Sequence, residues 1–273
     1  MSPELSIVIV SHHAREWLAQ CLESLRAQGD VALETIVVEN GSTDGSAELV
    51  RGEFPEAKLI CNREPQGFAT NNQIGAGASA APLLLFLNPD TQVPPGSLRA
   101  MLQVVARHPE CGIFGSRLLD SEGEVERSMG CFPTLTSISL DRLLQHLPFL
   151  QPLLERHAQR HYMGYEAPRY VDWVTGACLW IRREALEEAG GWDGAHFFMY
   201  YEDVDLCFRV RRAGYKILYA PQSTLFHFRN KTPLDPGHRK ALMRRGLAAF
   251  ARQHYHPLRR RLYRMLLRLP DSP

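Results

Sequence analysis

The sequence lacks any segment built for export or for crossing a membrane. It opens Met1-Ser-Pro-Glu4 without a basic n-region, and no apolar run reaches the ~18 residues that a spanning helix needs. It also lacks paired cysteines. Six thiols stand at positions 21, 61, 111, 131, 178 and 207, none in a CxxC and none at a Cys/His spacing suited to zinc. Their scatter among apolar residues predicts buried, reduced thiols, and the chain reads as a cytoplasmic protein. Internal repeats and low-complexity tracts are missing as well. With 45% hydrophobic and 22% charged residues, 273 residues suit one α/β domain with an appendage, or two small domains.

Acids are scarce at one end only. From Arg211 onward there are 15 Lys and Arg against two acids, Asp235 and Asp271. The first 210 residues hold 16 bases against 28 acids, so a net charge of +1 hides a basic tail on an acidic body. That asymmetry points to an anionic partner, such as a membrane surface or a phosphorylated substrate, or to a solvated helical face. Nothing in it points to nucleic acid. Near the end of the tail, Leu258, Leu262, Met265, Leu266 and Leu269 share one side of a helix, and Arg260, Arg261, Arg264 and Arg268 the other. Such a helix lies on an anionic membrane surface or docks onto the domain through the same leucines.

Strands and helices alternate along the first half. Leu5 to Val10 is a continuous β-branched run, the mark of a buried parallel strand. Further strands are expected at Thr35–Val38, Lys58–Cys61, Leu83–Leu87 and Gly112–Leu118, with helices between. Gly67 to Ala80, rich in small residues, predicts a closely packed helix. The pattern implies right-handed βαβ units and a mostly parallel, Rossmann-like sheet flanked by helices. Ligands on such sheets sit beyond the carboxyl ends of the strands. The polar clusters at 11–13, 39–45 and 88–90 all fall there. Residues about 132–165 read as a helical insertion, either a lid or acceptor-side wall or a plain packing helix. Strand character returns over Val171–Ile181 and Tyr215–Tyr219. The expected organisation is a domain over 1–230 and a basic helical tail over 231–273.

Four segments carry chemistry. Asp90 follows an apolar strand within Leu87-Asn-Pro-Asp-Thr91, where a carboxylate can hold Mg²⁺ or Mn²⁺ bridging substrate phosphates; Asn-Pro-Asp is also a common turn. Glu39, at the head of Glu39-Asn-Gly-Ser-Thr-Asp-Gly45, can accept from a base or from ribose hydroxyls, while Ser42 or Asp44 caps the next helix. In Phe197-Phe-Met-Tyr-Tyr-Glu-Asp-Val-Asp-Leu206, the acids Glu202, Asp203 and Asp205 follow five bulky residues. Burial and mutual repulsion raise carboxyl pKa values, as a general base requires, though acids in a first helical turn also suit the dipole. His227, between aromatics in Leu225-Phe-His-Phe228, is a candidate metal ligand or a core histidine.

In order along the chain, these segments resemble family 2 glycosyltransferases of the GT-A fold, nearest to the rhamnosyltransferase-like and galactofuranosyltransferase-like branch. The matching pieces are Ser6–Ser11, Val38–Gly45, Asn62 with Gly67-Phe-Ala69, Asn71-Asn72, Leu87–Thr91, Asp172–Ala177, Gly190-Gly-Trp-Asp193, Phe198–Leu206 and His227. The resemblance implies an inverting, metal-dependent transfer from a nucleoside diphosphate sugar, dTDP- or UDP-linked, to a glycan or polyprenyl-diphosphate-linked acceptor. It places the DxD-type metal motif at Asn88-Pro-Asp90, with Asp90 and His227 as ligands of Mg²⁺ or Mn²⁺. It makes Asp203 the catalytic base. Ser11, Glu39, Asn40, Asn72 and Asn88 fall on the donor nucleotide side, and Trp192, Asp193 and Glu202 on the acceptor side. Three departures stand out. Glu39 replaces the usual Asp, His12-His13 replace Tyr-Asn, and the metal motif keeps one carboxylate. The QxxRW motif of processive synthases is absent, which implies adding one or a few sugars. A nucleotidyltransferase would want a glycine-rich basic loop where Ser11-His-His-Ala-Arg15 stands. A non-catalytic sugar-nucleotide-binding module would not need Asp90, Asp203 and His227 together.

Overall fold

The computed structural model describes residues 2–133, 164–228 and 235–267. Along the chain run β1 (Leu5–Ser11), α1 (Arg15–Arg26), β2 (Leu33–Glu39), α2 (Ser46–Glu53), β3 (Lys58–Cys61), α3 (Phe68–Gly77), β4 (Leu83–Leu87), β5 (Thr91–Gln92) and α4 (Ser97–Arg107). There follow β6 (Cys111–Leu119), β7 (Met129–Gly130), β8 (Arg169–Tyr170), β9 (Trp173–Val174), β10 (Cys178–Arg182), α5 (Arg183–Glu188), α6 (Glu202–Arg212), β11 (Lys216–His227), α7 (Pro236–His254) and α8 (Pro257–Leu267). The helical insertion expected at about 132–165 lies almost wholly outside the described residues.

The main sheet has the order β3-β2-β1-β4-β10-β6-β11-β5, with β8 added on β11. β1 is buried along its whole length between β2 and β4, parallel to both. β6 and β11 continue the parallel set. β10 runs against both its neighbours, pairing Cys178 with Leu87 and Leu179 with Gly115. Its reversed direction was invisible in the sequence, because the alternation of apolar residues carries no sense of travel. Helices cover both faces. Leu18, Leu22, Leu98 and Met101 close one core, and Ala69, Ala76, Leu206 and Val210 the other. The small residues of α3 matter here: a Cβ on Gly75 would come 2.2 Å from Val8 Cγ1. The result is the mostly parallel, Rossmann-like sheet flanked by helices that the alternation predicts.

The basic segment returns to this body. Asp235 caps α7 by accepting from the His238 amide (2.9 Å), with Pro236 at the first helical position. Phe250 is fully buried among Phe197, Val204 and Ala249. In α8 the buried residue is Tyr263, whose hydroxyl, like that of Tyr255, donates to the Pro133 carbonyl. Leu258, Leu262 and Met265, spaced i, i+4, i+7 on one side, are 65%, 45% and 72% exposed. Docking through Leu258, Leu262 and Met265 is thereby overturned, and among the described side chains of α8 it is Tyr263 that holds the helix, while those of Leu266 and Leu269 lie outside what is described. No described helix is long and apolar enough to cross a membrane.

Candidate active site

The site forms at the carboxyl edge of the sheet, where the metal turn comes first. β4 is apolar and buried to its last residue, and the chain then turns through Asn88-Pro89-Asp90. The turn is closed by Thr91 Oγ1 donating to the Asn88 carbonyl (2.8 Å). β5 then pairs with the end of β11, setting Thr91 opposite His227, and the Phe228 amide donates to the Asp90 carbonyl (2.9 Å). Two segments remote in sequence thus bring Asp90 Oδ1 to 3.3 Å from His227 Nε2. The Asn88 amide nitrogen stands 3.3 Å from the same ring nitrogen.

His227 has a second carboxylate behind it. Its Nδ1 lies 2.9 Å from Glu126 Oε2, and both side chains are buried. Sequence reasoning missed Glu126, because Ser121-Glu-Gly-Glu-Val-Glu126 reads as a solvated turn. The segment is folded back on β6 by the Glu126 amide donating to Leu118 (2.9 Å) and a bridge between Leu119 and Val125. Burial alone would depress the imidazole, but the Asp90 and Glu126 carboxylates outweigh it and raise it to about 9.

These residues fit a divalent cation. Two ligand atoms at about 2.1 Å on adjacent corners of an octahedral ion stand about 3 Å apart, close to the observed 3.3 Å. A carboxylate on the far ring nitrogen is the usual way to orient a ligating imidazole. Among the described residues a denser group of potential ligand atoms, His108, Glu110 and Cys111, lies at the opposite edge of the sheet. There burial pushes the Cys111 thiol up to about 12, and Glu110 already accepts from the Tyr170 hydroxyl (2.7 Å). That group is a structural knot, not a metal centre.

On the nucleotide side, β1 and β2 set Ser11 beside Glu39. Both Glu39 oxygens accept from its own turn, Oε2 from the Gly41 amide (3.1 Å) and Oε1 from Ser42 (2.8 Å). Asn40 is locked. Its Oδ1 accepts from the Gln66 amide (2.7 Å) and Asn62 (3.1 Å), and its Nδ2 donates to the Gln66 carbonyl (3.0 Å). All three of those bonds go to protein, so the side chain braces two loops against each other. Asn71, which the sequence matched only as a motif residue, braces the same loop through Gln66 and Gly67. The N-cap of α2 is Gly45 and no side chain caps it; Asp44 instead ties the starts of two helices, accepting from the Ser46 amide (3.1 Å) and the Arg15 amide (3.0 Å). Ser11 Oγ and Asn72 Nδ2 are buried without a hydrogen-bond partner. Orphaned buried polar atoms are rare in folded proteins and mark places where a polar ligand is wanted.

The third part is the amino end of α6. Its three acids divide into three environments. Asp205 is fully buried and structural, with Oδ2 held by Arg209 (2.6 and 2.8 Å) and Oδ1 by His254 Nε2 (2.6 Å). Asp203 is half-buried. Its Oδ2 accepts from the Gly176 amide (2.9 Å) and its Oδ1 from the Val204 amide (2.8 Å), and burial raises its carboxyl above the ordinary range. Glu202 is buried with Oε2 unpartnered, and burial, then the Asp203 charge, push it well up. Tyr200 and Tyr201, just before them, hold φ of 69° and 71°. Bulky residues in the left-handed region cost about 1–3 kcal/mol each and concentrate at functional sites.

The Gly190-Gly-Trp-Asp193 loop lies beside α6. Asp193 accepts from the Ala195 and His196 amides (both 3.2 Å) and from Gln253 Nε2 (2.9 Å). Burial works against its charge, yet the Gln253 and His196 bonds hold its carboxyl below the usual range. Trp192 is 4% exposed and packed edge-on between Phe68 and Phe86, with its amide on Gln73 (2.8 Å), so its indole anchors the loop from beneath.

One dipeptide joins the two ends of the site. The Gly176 amide donates to Asp203, and the next carbonyl, of Ala177, accepts from the Asn88 amide (2.9 Å) in the metal turn. Space around Gly176 is tight, since a Cβ there would come 3.1 Å from the Phe68 ring, with Asp203 Cβ in ordinary contact at 3.5 Å. The Asp90–His227 pair and the raised Asp203 carboxylate are therefore fixed to a common support.

Residues 3–249 match the family model described as glycosyltransferase like family 2. The chain is 30% identical over 248 residues to an N-acetylglucosaminyl-diphospho-decaprenol L-rhamnosyltransferase of Mycobacterium tuberculosis, covering 86% of this chain and 80% of that one. It is 24% identical over 232 residues to a rhamnosyltransferase of Escherichia coli K12, covering 81% and 82%. Among solved structures, a mannosyltransferase from Pyrobaculum calidifontis in complex with GDP-mannose and Mn²⁺ superposes with a TM-score of 0.62 at 16% identity, covering 98% of this chain and 69% of that one. By the family model and the 30% identity together, this chain belongs to the family 2 glycosyltransferases.

Proposed function

We propose that the protein transfers a single L-rhamnose from a dTDP-linked donor to a polyprenyl-diphosphate-linked glycan, inverting the anomeric centre. The branch resemblance and the rhamnosyltransferases among its relatives support the sugar. The lipid-linked substrate in the mycobacterial relative's name supports the acceptor. UDP-galactofuranose and UDP-hexoses are the donors to be tested against it. The observation that carries the mechanism is the Gly176-Ala177 bridge, which holds Asp203 and the Asp90–His227 pair to one support.

Asp90 and His227 would hold Mg²⁺ or Mn²⁺, which when bound balances the charge of the departing diphosphate. Ser11 and Asn72 offer unpartnered polar atoms to the nucleotide, with Glu39, Asn40 and Asn88 shaping that wall. On the other side of the cleft, Asp203 accepts the acceptor hydroxyl proton as its oxygen attacks the anomeric carbon and the diphosphate leaves. One displacement inverts configuration and leaves no covalent sugar on the protein. Glu202 and Asp193 border the acceptor. A thermal-shift series of nucleotide sugars with and without Mn²⁺ tests the reading. dTDP-rhamnose with Mn²⁺ should raise the melting temperature most; a larger shift from another nucleotide sugar would reassign the donor.

The tail supports placement on the cytoplasmic face of an anionic membrane. Leu258, Leu262 and Met265 present an apolar stripe to solvent while Arg259, Arg260 and Arg261 flank it. Deleting residues 257–273 should weaken co-sedimentation with phosphatidylglycerol vesicles, and equal binding of the truncated protein would remove the membrane reading.

A further inference from the structure

We infer that α7 is a positioning element for the catalytic carboxylate, acting through Gly246 and His254 on the strained turn that precedes Asp203. The inference rests on Asp203 being the base. Its ground is a set of contacts that converge on the amino end of α6 and on the loop beside it.

The first is steric. The backbone of α7 lies directly on the two left-handed tyrosines. A Cβ on Gly246 would come 2.3 Å from the Tyr200 carbonyl oxygen and 3.2 Å from Tyr201 Cβ. The obstructing atom is backbone, so no rotamer change relieves it. The second is polar. His254 Nε2 lies 2.6 Å from Asp205 Oδ1, in the first turn of α6, while Arg209 binds the other oxygen and also donates to the carbonyls of Ala189 and Gly191. The third is Gln253, which donates to Asp193 in the neighbouring loop (2.9 Å). Between them Phe250 packs against Tyr201 and edge-on against Phe208, with ring centroids 6.3 and 5.4 Å away.

Asp203 stands between the strained pair and Asp205, so its backbone is fixed from both sides by α7. Bulky residues hold a sparsely populated φ only where their surroundings over-determine it. Here the surroundings are a helix from the far end of the chain. The named contacts fall on the acceptor half of the site, whereas Asp90, His227, Ser11 and Asn72 are positioned by strand ends. Loosening α7 should therefore misplace the base and leave the nucleotide end intact.

The test uses the full-length protein and the variants Gly246→Ala, His254→Ala and His254→Gln. Met243→Ala, on the exposed side of the same helix, is the control. Four readouts are taken: kcat for transfer from dTDP-rhamnose, affinity for dTDP with Mn²⁺, thermal stability, and amide exchange over residues 201–205. A misplacement of about 1 Å is worth roughly 10²-fold in rate. Gly246→Ala should lower kcat by about that factor and His254→Ala by roughly 10-fold, with dTDP–Mn²⁺ affinity unchanged and exchange over 201–205 accelerated. His254→Gln, which keeps a donor to Asp205, should recover most of the rate. Wild-type kcat and wild-type exchange in both Gly246→Ala and His254→Ala would overturn the inference. So would a loss that strikes dTDP affinity equally. Asp203→Asn run in parallel separates the two readings. If it retains full transfer, the base assignment is what fails; if it is inactive while Gly246→Ala is normal, the positioning role fails.

Discussion

The two halves of the cleft are built differently. The nucleotide and metal half is made of strand ends. Ser11, Glu39 and Asn88 lie within or directly after buried parallel strands, and the Glu39 turn closes on itself by accepting from the Gly41 and Ser42 amides, although the Asp90–His227 pair is itself drawn from two remote segments. The acceptor half is made of a helix start whose geometry is imposed from a distance, by Gly176 from the sheet and by α7 from the tail. A local half tolerates substitution around it, because each turn carries its own reason to fold. A remotely imposed half fails when any of its props is removed.

Substitutions can break that contrast. Asp203→Asn removes the proton acceptor and should reduce transfer by roughly 10²–10⁴-fold while nucleotide binding survives; single-turnover assays against dTDP–Mn²⁺ calorimetry check both. Asp205→Ala should act on the fold instead. It leaves Arg209 and His254 around a missing buried charge, and breaking such a group costs about 3 kcal/mol, measurable by denaturant titration. Glu126→Gln loosens the orientation of His227 from behind and should weaken Mn²⁺-dependent dTDP binding by about 10–100-fold with little change in stability. A smaller effect concerns pH. Asp203 must be ionised to take a proton, and burial raises its carboxyl. The rate should therefore fall as pH drops through a midpoint above that of an ordinary aspartate, and a pH–rate profile with its acid limb at the ordinary position would contradict this. Smallest of all, replacing Leu258, Leu262 and Met265 with Ser should change stability by under about 0.5 kcal/mol while reducing vesicle binding.

The same contrast governs what could be read in the sequence. Asp90 was legible as a carboxylate at the end of an apolar run, and the strand-end clusters at 11–13, 39–45 and 88–90 do meet at one edge. His227 pointed to a metal only through resemblance, since a histidine between aromatics is ordinary core. Glu126 was hidden, because alternating acids around Gly123 look solvated and only the fold back onto β6 buries one of them. The resemblance put Trp192 on the acceptor side and Asn40 on the donor side, but that Trp192 packs inward and Asn40 braces two loops is set by packing that a motif does not encode. The five bulky residues before Glu202 looked anomalous. Phe197 is core and Tyr201 packs under Phe250, so the run anchors the turn.

The bridge at Gly176-Ala177 also bears on how the enzyme measures its substrates. The proposed ion site and proton acceptor hang from adjacent residues, so the span between them is a built-in gauge and not the outcome of two lobes coming together. A sugar whose anomeric carbon reaches across that span can react, and one that falls short gains nothing from tighter binding at either end. Changing the sugar this scaffold transfers would then require resetting the gauge itself, by shifting the short loop between β9 and β10.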